Sequence, residues 1–443
     1  QKELIMQLKN LTRRIILQLK RITSKFIQFL LTIVTTFSLL PLTAMAAMKT
    51  EIHIETQEET PKHWDAMADT SWYNERCKEF HISTPEQLAG LAVLVNTGHH
   101  FEGQTICLKN DIDLSGHNWV SIGDGQWLGK WYDSQTKKSF WGTFDGQNHY
   151  ISNLTTNSSN YAHGLFGLAE HGIIKNVRII DAYIYNNDAS NHNCIGILAD
   201  EVRHCNIFGS YTTGQIIDYS TNVKYVGGLV GDCYGTSKII GCYSTASILN
   251  NSLNPNYKSV GGIIGCLEYV KYIGDDAIIS NCWYDGSIQC KGSPFTGGIL
   301  GSSDDDDVKI NNCFVSTTDI ICQTSDRVAL ITTTGTDDSV SDCYWPASKT
   351  AQSDNMKIDP VNKISWFSKD TSFDTSKCGM PIENFNDPFL IDKLNEKAGP
   401  GVEWESGVNH PTLKKVDAEL LSKKEEVPQE KRKRWQKMFK RDR

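Results

Sequence analysis

Gly164-Leu-Phe-Gly167, Gly196-Ile-Leu-Ala199, Gly228-Leu-Val-Gly231, Gly262-Ile-Ile-Gly265 and Gly298-Ile-Leu-Gly301 recur at intervals of 32, 32, 34 and 36 residues. Ala329-Leu-Ile-Thr332, 31 residues further on, is a degenerate sixth copy. A second column follows each copy: Lys175-Asn-Val-Arg178, Phe208-Gly-Ser-Tyr211, Ile240-Gly-Cys-Tyr243, Ser280-Asn-Cys-Trp283, Asn311-Asn-Cys-Phe314 and Ser341-Asp-Cys-Tyr344. A third, short apolar pair ends at Ile184, Ile216, Ile248, Ile288 and Ile320. Each unit therefore offers three short segments of period two, separated by Gly, Asn, Asp and Ser turns and too short for helices. Three strands per lap, each pairing with its counterpart one lap away, make a parallel β-helix, expected to be right-handed.

Composition agrees. Gly (34) outnumbers Pro (12), and 11 Trp, 16 Tyr and 16 Phe supply a core, so the chain is neither a helical bundle nor disordered. The net charge of −8 hides a split. Residues 1–47 carry +6, residues 431–443 carry +7, and the body between them carries −21. A body that acidic repels nucleic acid, so no nucleic-acid partner is expected.

In residues 1–47, basic residues from Lys9 to Lys25 precede an apolar run, Phe26 to Leu42, and Ala44-Met45-Ala46 follows as a cleavage pattern. This reads as a secretory signal peptide, with an uncleaved membrane anchor as the alternative, and predicts a secreted or cell-surface protein. The further divisions expected are an N-terminal cap with irregular first coils (48–154), the repeat solenoid (155–345), a C-terminal cap (346–415) and a charged tail (416–443). In the first cap, Thr84 N-caps a helix opened by Pro85, with Leu88, Leu91, Ala92 and Val95 on one face and Gly98 beyond its end. In the second, Phe385 to Lys397 reads as a helix with Phe389, Leu390 and Leu394 on one face.

The thirteen cysteines are an odd number without a C-x-x-C. Cys242, Cys282, Cys313 and Cys343 share one repeat column with Val177 and Ser210, which marks a small inward slot and a buried ladder of mostly reduced thiols. Their spacings of 40, 31 and 30 do not make a zinc ligand set.

The repeat tetrapeptides with their Asn/Gly-Cys-Tyr columns resemble the GLUG motif of bacterial surface proteins. The upstream stretch Phe80-His-Ile-Ser-Thr-Pro-Glu-Gln-Leu88, Asp111-Ile-Asp-Leu-Ser-Gly116 and Gly142-Thr-Phe-Asp-Gly146 resembles the segment preceding such repeats in gut Bacteroidetes. Repeats of this kind also occur in adhesins and in the N-terminal regions of IgA-cleaving metallopeptidases. The resemblance implies a right-handed β-helix at a bacterial surface, with structural glycines at Gly164, Gly167, Gly196, Gly228, Gly231, Gly262, Gly265, Gly298 and Gly301. It implies no catalytic residues.

No H-E-x-x-H and no G-x-S-x-G occurs. The carboxylates Asp145, Asp181, Asp232 and Asp285 are scattered, and each suits a turn. Asp304, Asp305, Asp306 and Asp307 are weak calcium candidates against a solvated loop tip. Trp119, Trp127, Trp131, Tyr132 and Trp141, in a Gly-rich segment, form the candidate sugar platform, packing over the first coils being the competing reading. Basic residues from Lys431 to Arg443 suit an anionic surface or a solubilising tail.

The function expected is a non-catalytic, adhesin-like or glycan-binding surface module. A polysaccharide lyase or hydrolase and an accessory part of a surface assembly are the alternatives. Its partner would be a host or dietary glycan or a surface protein, with contact to a membrane only through the uncleaved signal or the basic tail. No cofactor and a monomer are expected.

Overall fold

The computed structural model describes residues 63–123, 138–157, 162–187, 194–251, 259–268, 277–291, 295–303, 308–317, 319–322, 328–334, 339–347, 359–361 and 378–423. The expected signal segment 1–47 lies outside them. The described chain is an all-β solenoid with three parallel sheets and α-helices at Pro85–Asn96 (α1), Pro388–Lys397 (α2) and Ala418–Lys423 (α3).

Each lap visits the three sheets in turn. The first stacks Phe166–Glu170, Ala199–Arg203, Val230–Tyr234, Ile264–Glu268 and Leu300–Ser303. The second runs from Glu79–Ile82 through Thr105–Leu108 and Thr143–Asp145 to Val340–Ser341. The third holds Arg178–Asn186, Tyr211–Asp218 and their counterparts further along. Inward positions stack like on like. Ile184, Ile216, Ile248, Ile288 and Ile320 are in register and at most 1% exposed. Each such side chain withdrawn from water is worth about 1.5–3 kcal/mol before conformational entropy is set against it.

The corner between the second and third sheets explains the second repeat column. Asn176, Gly209, Gly241, Asn281, Asn312 and Asp342 all take the left-handed conformation, with φ between 50° and 64°. Among residue types, Gly, Asn and Asp accept that region most readily. The residue after each corner then faces inward: Val177, Ser210, Cys242, Cys282, Cys313 and Cys343 are all 0% exposed. The thiols cap carbonyls of their own and the preceding lap, Cys282 Sγ reaching Ser280 O at 3.3 Å and Ile239 O at 3.4 Å. All thirteen cysteines are free thiols.

The tetrapeptide marks a second corner, but its second copy is shifted. Gly196 pairs with Gly227, not Gly228, and Ala199 pairs with Val230. Asp200 therefore occupies the slot that Gly231 fills in the next lap. A Cβ on Gly231 would lie 2.7 Å from both Asp200 O and Ile195 N, so neighbouring laps meet here backbone to backbone. Asp200 fits because its wholly buried carboxylate accepts from the amides of His163 (2.6 Å), Gly164 (3.0 Å) and Gly196 (3.1 Å). Burial pushes its pKa up to about 8 against those three donors.

At the N-terminal end, Thr84 caps α1 by accepting from Gln87 N at 3.3 Å, and Leu88, Leu91, Ala92 and Val95 join the solenoid core. The C-terminal part departs from expectation. Gly379–Ile382 adds a strand beside Cys343–Pro346. The chain then leaves the stack and runs back along the flank of the third sheet. Asp387 caps α2 and Pro388 opens it, so the helix begins three residues later than expected. Leu390 and Leu394 are buried, while Phe389 is 45% exposed and does not share their face. Thr412–Val416 pairs antiparallel with Val402–Glu405. Val416 covers Gly209 and Gly241, and Glu419 of α3 binds Lys175. The charged tail expected from 416, as an exposed helix or disordered, is thus docked as far as Ser422.

Two substitutions test this packing. Gly231→Ala should lower stability by about 2–4 kcal/mol, because the obstructing atoms are backbone. Asp200→Ala should cost a similar amount by leaving three buried amides without an acceptor. Denaturant midpoints at unchanged m-value provide the measurement.

Candidate functional site

The predicted aromatic platform is divided. Trp119 is 0% exposed; its indole N–H donates to Leu165 O at 3.1 Å, and its ring lies in the core. It cannot contact a sugar, and on this point the sequence expectation is corrected. The reason is local: the irregular segment around it forms a rung, Ile122 bridging to Phe166 and Phe140 to Ala169. Trp141 is half-buried, packed between His100 (ring centroids 5.0 Å) and His171 (5.7 Å). Trp127, Trp131, Tyr132 and Asp304 to Asp307 lie outside the described residues.

The scattered carboxylates go to four places. Asp145 is buried and pairs with Lys175 at 3.3 Å. Asp181 sits at a bulge within the strand Arg178–Asn186, with φ of 55°. Asp232 lies on the first sheet, and Asp285 faces His410 at 3.4 Å.

The outer side of the first sheet carries a charge ladder. Register places Glu201 beside Asp232 and Arg203 beside both Glu170 and Tyr234. Arg203 binds Glu201 and lies 3.9 Å from Glu170, which accepts from Ser139 at 2.8 Å. The Tyr225 hydroxyl donates to Glu268. Carboxylates and an arginine on one face are what a polysaccharide-cleaving site needs. Here Arg203 is taken up by Glu201 and Glu170, and the acids have little solvent contact: Glu170 is 5% and Asp232 4% exposed.

The third sheet presents a different surface. The residue after each inward slot points outward, so Arg178, Tyr211, Tyr243, Trp283, Phe314 and Tyr344 form one file. Tyr211 and Tyr243 stack at 4.3 Å, Tyr243 and Trp283 at 4.2 Å, and Trp283 and Phe314 at 5.8 Å with their planes 1° apart. The Arg178 guanidinium lies 5.6 Å from the ring centre of Tyr150 and 5.9 Å from that of Tyr211. The flanking C-terminal segment covers one end, where Trp283, Phe314 and Tyr344 pack with Leu390, Leu394 and Trp404. The other end is open: Tyr150 is 37% exposed, and further along the neighbouring strands Tyr183 is 43% and Tyr219 48% exposed. Tyr185 packs on Tyr219 at 6.3 Å. Sequence reading missed this face, although its signal was the aromatic closing each second-column unit, one residue after the inward cysteine.

No protein-family model matches the chain, and no curated protein matches it. Among solved structures, the crystal structure of a "putative immunoglobulin A1 protease" from Bacteroides ovatus is similar. It is 21% identical, with a TM-score of 0.46, over 76% of this chain and 92% of that one. The class defined by the chain's own geometry is the parallel β-helix, and no site or activity is carried over from that neighbour.

His410, between Trp283 (4.4 Å) and Asp285, fastens the flanking segment. Burial opposes its charge, but the Asp285 carboxylate outweighs burial and leaves its pKa raised. Burial likewise opposes charge on Asp285, and hydrogen bonds from His410 and Ser316 leave its pKa lowered. The histidine's contribution is present below its ordinary 6.5 and is lost as pH rises through its raised value. The aspartate's is present above its ordinary 3.8 and is lost as pH falls through its lowered value. Hydrogen exchange of the 402–416 amides, corrected for intrinsic rate, should therefore be slowest near pH 5–6 and faster toward pH 8. The effect should be about 2–5-fold, as for a half-exposed pair, and His410→Gln should flatten the profile.

Proposed function

We propose that this chain is an exported glycan-binding module of GLUG-repeat type. Its binding face is the open end of the aromatic file on the third sheet. The observation that carries the reading is the outward row Tyr150, Arg178 and Tyr211, with the exposed Tyr183 and Tyr219 five and eight positions further along the same strands, displayed on a rigid parallel sheet. Rigid aromatic rings present large amphipathic area at little entropic cost, and sugar rings lay their C–H faces on such area. Arg178 and the row Gln215, Ser247 and Ser287, in register beside Tyr183, supply hydrogen-bonding groups along the same face. The file runs along the solenoid axis, so the partner that fits is an extended polysaccharide rather than a single sugar. The role at a cell surface follows the N-terminal signal pattern and the motif resemblance.

The enzyme alternative draws on the first-sheet charge ladder, but its carboxylates face one another and offer little surface to a polymer.

Retention of the full chain on immobilised polysaccharides tests the reading. Tyr183→Ala with Tyr211→Ala should weaken binding about 10–100-fold, at about 1.4 kcal/mol per tenfold. The variant should remain folded, with a modest fall in melting temperature from loss of the Tyr211–Tyr243 stack. Undiminished binding by this folded variant would sink the proposal. Shortened products in the same incubations, abolished by Glu201→Gln, would transfer the function to the first sheet.

A further inference from the structure

The second sheet begins with a side-chain group that the glycan reading does not use. On Glu79–Ile82, Glu79 and His81 project to the outer side, two residues apart, while Phe80 and Ile82 go inward. The next strand, Thr105–Leu108, pairs in parallel and sets Cys107 directly beside His81. One carboxylate oxygen, one imidazole nitrogen and one sulfur therefore converge, all within 4.8 Å of one another, with His81 Nε2 3.6 Å from Glu79 Oε1.

We propose that Glu79, His81 and Cys107 form a binding site for a zinc-class transition metal ion, with three protein donors and a fourth position open to water. The donor set selects the ion: thiolate and imidazole favour Zn²⁺ and its neighbours in the first transition row over Mg²⁺ or Ca²⁺, which take oxygen. One thiolate and one carboxylate balance a dication, so the loaded site is neutral. Tetrahedral zinc with ordinary bond lengths separates its donors by about 3.4–3.6 Å. The His81–Glu79 distance already meets this, and a small side-chain rotation brings the third donor in. That rotation is available, because the Glu79 and His81 side chains are 61% and 49% exposed, which also gives the ion its entry path. Cys107, 5% exposed, is the anchored donor, fixed by pairing on both sides, to His81 and to Asp145. Asp145 is held by Lys175, Asn176 and the Gln147 amide and stays behind the site as its outer neighbour.

The probe is Co²⁺ added to the full chain carrying Cys77→Ser, which removes the one exposed thiol. The expected result is one equivalent bound, with a thiolate-to-cobalt charge-transfer band in the near ultraviolet and intense visible bands of tetrahedral cobalt. Stoichiometric Zn²⁺ should displace it. Cys107→Ser should abolish the charge-transfer band, and His81→Ala should weaken binding at least tenfold, both at unchanged melting temperature without metal. Absence of the band, or its persistence in Cys107→Ser, overturns the proposal. Polysaccharide retention is read separately, so either result stands whatever becomes of the glycan face.

Discussion

Six successive laps of this solenoid turn on one backbone constraint: a single left-handed residue at the corner between the second and third sheets. That residue sets the parity of all that follows. One position on, the side chain must fit an interior slot, and Val, Ser and Cys do. Two positions on, it must stand outside, and there the chain places Arg178, Tyr211, Tyr243, Trp283, Phe314 and Tyr344. A slip of one residue would drive rings into the core and thiols into water. The Asn corners add a cross-link of their own. Asn312 donates to Asn281 at 2.7 Å and to Leu394 O at 2.8 Å, and Asn281 donates to Ala398 O at 3.1 Å. The corner ladder is thereby also the seat of the C-terminal helix.

The outer faces divide the chemistry between them. On the first sheet Arg203 binds Glu201 and stands near Glu170 with little water around them, which suits structural charge compensation better than an open reaction site. The third sheet stacks rings, and stacking leaves their edges and end faces for a ligand. Its covered half shows the same rings serving as an internal core for the flanking segment, and its open half offers the same surface to an external partner.

Much of this was legible in the residues. The period of thirty-odd positions, the Gly/Asn corners and the inward isoleucine and cysteine columns follow from alternation and turn chemistry. The boundaries of α1 follow from Thr84, Pro85 and Gly98. Other features were not. Gly196 looked like the head of the second tetrapeptide because Asp200, the residue that replaces a glycine, acts through its carboxylate and carries no glycine-like signal. Trp119 looked like a loop aromatic because its neighbours are Gly-rich, yet an irregular rung buries it as fully as a strand would. The return of residues 378–423 along the flank depends on contacts 82 to 244 positions away, such as Glu419 with Lys175, which no local pattern encodes.

That return path alters the mechanics of the whole molecule. In a simple stack each lap touches only its neighbours, so the ends can fray one rung at a time. Here a strap leaves the final rung, grips the asparagine corners midway through Leu394 O and Ala398 O, and is fastened by Glu419 to the lap that holds Lys175. Unzipping from the C-terminal end must first lift this clasp, which couples rungs that are otherwise independent and turns a row of weakly linked layers into a single cooperative body.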